Sequence, residues 1–124
     1  MRVAALATRL AVCRLPADAP MPAWIEAGGD FVATTRTPDE LSIVCAVDVA
    51  PDSIPNEGPW RAFKVQGPLV MTLLGVVAAL ADPLRDAGIS IFAISTYDTD
   101  YILVHENDGE AATRALLAAG HEVV

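Results

Sequence analysis

Apolar and polar residues alternate in short blocks along the chain, and Pro- and Gly-rich breaks divide them. "ALATRLAVCRL" (5–15) mixes alternation with short apolar runs and predicts a strand. Next, "PAWIEAGG" (22–29) follows a Pro-rich break and predicts one or two helical turns ending at Gly28. "DFVATTRTPDELSIVCAV" (30–47) predicts two strands around a turn centred on Pro38 and Asp39. "DVAPDSIPNEGP" (48–59) reads as a linker with little to bury. "WRAFKVQG" (60–67) alternates like a strand.

The long apolar stretch "PLVMTLLGVVAALADPLRDAG" (68–88) predicts a helix with Pro68 in its first turn. Pro83 cannot donate to the carbonyl of Ala79, so a kink is expected there, with Asp82 as a fresh N-cap. Gly75 inside this helix suggests close packing against a neighbouring element. "ISIFAIS" (89–95) and "YILVHE" (101–106) predict two strands joined by a polar knot, Ser95 to Asp100. "DGEAATRALLAAG" (108–120) predicts a helix capped by Asp108 and stopped by Gly120, and "HEVV" a last short strand.

The second half thus reads β-α-β-β-α-β, the ferredoxin-like order of an α+β fold. Residues 31–44 and 91–104 repeat weakly at an offset of 60, pairing Ala33 with Ala93, Thr35 with Ser95, Glu40 with Asp100 and Val44 with Val104. A tandem of two related halves is expected, the first having lost most of its helix.

Composition narrows the function classes. Among 124 residues, 16 are acidic and 8 are Lys or Arg, giving a net charge of −8. That charge opposes nucleic acid and anionic membranes as partners. Mean hydropathy is +0.41, high enough for some apolar residues to serve a subunit interface. The longest apolar run, 69–81, is too short to span a bilayer. Arg9 and Arg14 interrupt the apolar N-terminal stretch, so it reads as a strand, not a signal peptide, and a cytoplasmic location is expected.

Candidate chemistry is sparse. Cys13 and Cys45 sit in apolar runs and read as buried thiols; a disulfide requires their strands to be neighbours. His105 and His121 share no ligand spacing with each other or with the cysteines, and Asp98, Asp100 and Asp108 do not follow a calcium-loop pattern. No metal and no cofactor are expected. Two carboxylates in a tight turn, Asp98 and Asp100, more often bond the local backbone than perform acid–base chemistry. With no nucleophile constellation beside them, the chain does not read as an enzyme.

The stretch "VQGPL", the apolar helix and "GISIFAISTYDTDYILV" resemble amino-acid-binding ACT domains. The resemblance is closest to small bacterial tandem-ACT proteins of the CASTOR-type, arginine-sensor-related group. It implies two ferredoxin-like βαββαβ units: a degenerate ACT-like half at 1–50, a linker at 51–59 and an ACT domain at 60–124. It also implies a regulatory, allosteric module that binds a free amino acid or similar metabolite at a domain interface. A homodimer or a partner enzyme would receive the signal. The implied ligand-binding residues are Gly67, Pro68, Leu69 and Val70 in one loop, facing Ser95, Thr96, Tyr97, Asp98, Thr99 and Asp100 in the knot. Main-chain N–H groups at a helix start suit a carboxylate, and the knot's oxygens suit an ammonium. Val70 and Leu74 stand where relatives often carry polar groups, which favours an apolar amino acid over an arginine-like one. The alternative is a ligand-free structural or protein-interaction module of the same fold.

Overall fold

The computed structural model describes residues 1–66 and 75–124. In chain order the strands are β1 (Arg2–Ala5), β2 (Leu10–Leu15), β3 (Ala33–Arg36), β4 (Leu41–Ala46) and β5 (Asn56–Val65). Helix α1 (Val76–Asp86), β6 (Ile91–Ser95), β7 (Asp100–His105), α2 (Gly109–Ala118) and β8 (Glu122–Val123) follow. The residues divide into two compact units, Thr8–Trp60 and Met1–Ala7 with Arg61–Val124.

In the Thr8–Trp60 unit the strands run in the order β3-β4-β2-β5. A five-residue 3-10 turn, Ala23–Ala27, stands where a ferredoxin-like repeat has its first helix. Between β4 and β5 there is no helix at all. The core is Ala11, Cys13, Leu41, Ile43 and Cys45, with Trp24, Ile25, Val49 and Ile54 packed against it. Cys13 and Cys45 do lie on neighbouring strands, offset diagonally: Cys13 is opposite Ile43 and Cys45 opposite Ala11. Both are free thiols. Burial pushes the Cys45 thiol up to about 11, helped by the nearby Cys13. Burial also raises Cys13, partly offset by a hydrogen bond from Cys45. Such thiols stay neutral and poorly nucleophilic at physiological pH.

In the other unit, β5 contributes its second half, and β7 lies between it and β6. The same placement, third strand between first and second, holds for β4 between β2 and β3. The two units are thus related ferredoxin-like repeats, the first without its α-helices. Strand β1 pairs antiparallel with β5 and parallel with β8, so the chain's first strand separates the first and fourth strands of the second repeat. Val76, Leu80 and Leu84, one helical turn apart, point the apolar face of α1 at Val3, Phe63, Val65, Ile102 and Val104. Ala112 and Leu116 do the same for α2.

Several expectations need correction. The strand expected over 5–15 is two strands, and residues 1–7 pack with 61–124 instead of with the first half. The expected linker 51–59 is largely built into structure. Ile54 packs on a core, and Asn56, Glu57 and Trp60 pair with β2. Asp82 does not open a new helix, because α1 runs through Pro83; Asp82 instead pairs with Arg85 at 3.3 Å. Among the described residues nothing lies within 4 Å of the Cβ that Gly75 lacks, so they show no close packing there. The φ of +73° at Gly75 is the reason for glycine.

Pro83 leaves the Ala79 carbonyl without its helical donor. His121 supplies one: its Nε2 lies 2.9 Å from the Ala79 oxygen, while Nδ1 lies 2.9 Å from the N-terminal amine. The Nε2–H tautomer satisfies both contacts. Replacing His121 by Phe should therefore cost about 1–2 kcal/mol. On a Pro83→Ala background, where residue 83 again donates, the cost should fall by about 1 kcal/mol. A double-mutant cycle by urea denaturation checks this; strictly additive costs would show that the histidine and the proline are unrelated.

Candidate functional site

The knot between β6 and β7 is a four-residue hairpin loop. Ser95 and Asp100 form the last cross-strand pair, leaving Thr96, Tyr97, Asp98 and Thr99 in the loop. Its main chain closes through Thr96 N–H donating to the Thr99 carbonyl at 2.8 Å. Thr96 Oγ1 also donates to that carbonyl (3.1 Å) and accepts from the Thr99 N–H (3.3 Å). Ser95 Oγ donates to Asp100 Oδ1 at 2.6 Å, bonding the two residues at the strand ends. Short hydroxyl and carboxylate side chains favour this kind of local turn bonding.

The first hairpin uses the same device. Thr37 N–H donates to the Glu40 carbonyl at 2.9 Å, and Thr37 Oγ1 accepts from the Asp39 and Glu40 N–H groups. Thr37 and Thr96 are 59 residues apart, so the structural repeat runs at 59 and not at the expected 60. At this offset Ile43, Val44 and Cys45 match Ile102, Leu103 and Val104, and all six are buried. Residue identities alone had placed Glu40 opposite Asp100; the turn geometry places it opposite Thr99.

That position separates the two copies. Thr99 is the one buried polar residue of the knot, 6% exposed, and its Oγ1 donates to the Val65 carbonyl at 2.7 Å. The bond ties the knot to the end of β5, two residues before Gly67. It thereby brings two segments 34 residues apart to one place. Gly67, Pro68, Leu69 and Val70, with Leu74, lie outside the described residues. Of the remaining nominated residues, Thr99 faces inward and anchors, while Ser95, Thr96 and Asp100 are bonded within the turn. Tyr97 (84% exposed) and Asp98 stand outward at the tip. Sequence reasoning missed Val65, whose contribution is a main-chain oxygen that no side-chain pattern reports.

Thr99→Val keeps the shape and removes the hydroxyl. It should lower stability by about 1–2 kcal/mol, measured by urea denaturation, because a buried hydrogen bond is lost without a replacement. A neutral result would mean that the Val65 tether does not hold the knot.

Among the described residues no group of three or more His, Cys, Asp or Glu side chains could hold a metal ion. No helix among them is long and apolar enough to cross a membrane.

Fold and hairpin together define a tandem ferredoxin-like α+β protein with a tethered polar turn in its second repeat. The ACT domain family pattern matches residues 57–118, and a second pattern, for an N-terminal domain, matches residues 8–57. The chain belongs to the ACT domain family. Among solved structures it is similar to protein Atu0741 from Agobacterium tumefaciens: 41% identity, 99% of this chain, 91% of that chain and a TM-score of 0.92. It is also similar to a Vibrio cholerae protein of unknown function, at 22% identity over 95% of this chain and 88% of that one, TM-score 0.76. The regulatory subunit of aspartate kinase from Thermus thermophilus shares the fold at 15% identity, over 90% and 91% of the two chains, TM-score 0.61. No curated protein matches the chain.

Proposed function

We propose that the chain is a non-catalytic regulatory module of the CASTOR-type tandem-ACT group, working in the cytoplasm. It binds a free amino acid or a similar small metabolite between Gly67–Val70 and the Ser95–Asp100 turn. The observation that carries this reading is the Thr99–Val65 bond, which sets the turn beside the main chain leading into Gly67. In this reading the Asp98 and Asp100 carboxylates receive the ligand's ammonium, and main-chain N–H groups of 67–70 receive its carboxylate. The Tyr97 ring covers it. Val70 and Leu74 select an apolar side chain. The likeness to a regulatory subunit of aspartate kinase supports a signalling role, and two free thiols suit a reducing compartment. Ligand would act by binding one assembly, a homodimer or a complex with a partner enzyme, more tightly than another.

Thermal denaturation with each of the twenty amino acids at millimolar concentration tests this. One or a few should raise the melting temperature, since a ligand at a hundred times its Kd adds about 2.7 kcal/mol. Asp98→Asn combined with Asp100→Asn should abolish the shift. No stabilisation by any amino acid would overturn the reading.

A second reading, a ligand-free interaction module, is favoured by one observation: Ser95 and Asp100 already satisfy each other, as do Thr96 and Thr99. In that case the turn needs nothing from outside.

A further inference from the structure

A second set of polar groups lies at the opposite end of the β5 segment from the knot, within the Arg61–Val124 unit. A cavity of about 360 Å³ opens there. Its wall includes Arg61, Glu106, Asn107 and Glu110, and its apolar side includes Ala62 and Phe63. The volume lies at the lower end of the range for small-molecule sites, about 300–1,000 Å³.

Arg61 is the unusual member. It sits on β5 on the same side as Phe63 and Val65, and its stem packs across the start of α2, with Cγ 3.8 Å from where a Cβ on Gly109 would stand. Nη2 donates to the Leu6 carbonyl at 3.1 Å, while Nε is buried and has no partner. Among the described residues no carboxylate forms an ion pair with it. A buried N–H without a protein partner is rare in a native structure; ordered water, a bound group or a movement of the side chain satisfies it. Glu106 opens a 3-10 turn that precedes α2, and Glu110, exposed in the first turn of α2, lines the same cavity.

This charge pattern selects among ligands. A simple anion would meet Arg61 but be repelled by the Glu110 carboxylate in a chain of net charge −8. A simple cation would meet Glu110 but be repelled by the guanidinium. A molecule carrying both charges a few bonds apart suits both. We propose that this cavity is a second small-molecule site, for a zwitterionic amino acid. Its carboxylate is received by Arg61 after the guanidinium swings to give Nε–H a partner. Its ammonium is received by Glu110, and its side chain lies against Phe63. The proposal is independent of the knot site, and each can fail alone.

Amide NMR titrations of the full chain with each of the twenty amino acids, with acetate and methylammonium as single-charge controls, test it. At least one amino acid should shift the amides of Ala62, Phe63, Asn107 and Gly109. Arg61→Gln and the surface change Glu110→Gln should each weaken that response about tenfold or more. Asp98→Asn should leave it unchanged, while the Thr96–Thr99 amides report the knot separately. Three results would overturn the proposal: no response to any amino acid at millimolar concentration, an equal response to acetate alone, or a response unaltered in folded Glu110→Gln protein.

Discussion

Leu84→Ala should lower the stability of the chain by about 2–5 kcal/mol, the range for a leucine deleted from a packed core. Leu84 has no exposed surface and lies in the cluster that joins α1 to Val3, Phe63, Ile102 and Leu116. Its carbonyl also accepts from the Ile89 N–H at 2.9 Å, at the turn that leads from α1 to β6. The backbone there is fixed from both sides, so it cannot collapse to fill the space. Against a typical total of about 5–15 kcal/mol, a loss of this size is a large fraction of the whole. Urea denaturation followed by far-UV circular dichroism reads it as a lower midpoint. A loss below about 1 kcal/mol would mean that α1 is not anchored as described.

Gly58→Ala should cost about 2–5 kcal/mol, by two additive causes. The first is conformational: φ at Gly58 is +149°, outside the region an L side chain readily adopts. The second is steric: an added Cβ would lie 2.8 Å from the main-chain oxygen of Leu10 and 3.2 Å from the Trp60 ring. The Leu10 oxygen belongs to the paired strand β2 and cannot turn aside like a flexible side chain. Gly75→Ala is the control. It shares a positive φ, +73°, but among the described residues meets no atom within 4 Å, so it should cost only about 1–2 kcal/mol. Equal costs at the two glycines, read from urea midpoints, would remove the steric part of the argument.

Gly58 also shows why part of the fold was hard to read. "PNEGPW" has the Gly and Pro content of a linker. In the structure those residues form an irregularity in β5: pairing runs from Leu10–Trp60 to Val12–Glu57, so β5 spends one more residue than β2. Glycine and proline mark bulges within strands as well as loops, and composition does not separate the two. The break between β1 and β2 was hidden for a different reason. "LATR" contains no Gly or Pro, and the decision to pair β1 with β5 and β8 is made by residues over fifty positions away.

The hairpins were legible because their signals are local. β-rich apolar runs set the strands, and "TPDE" and "TYDT" set the turns. Side-chain identities favour an offset of 60, one residue out of register with the turn chemistry. The shared threonine at the first loop position, Thr37 and Thr96, carries the true alignment. The knot itself was nominated correctly as a turn, but residue type could not say which members face inward. Thr99 turns its hydroxyl inward to the Val65 carbonyl, which its residue type does not reveal. Likewise His121 looked like an ordinary histidine, although the proline that makes it necessary lies 38 positions earlier.

The central claim is that the tethered turn and the segment after Gln66 hold an amino acid between them. A crystal structure of the full chain, grown with the amino acid that raises its melting temperature most, tests it most directly. The account predicts ligand density against Tyr97 and Asp98 on one side and main-chain N–H groups of residues 67–70 on the other. Density elsewhere with the turn region empty, or a turn covered by a second copy of the chain, would contradict it.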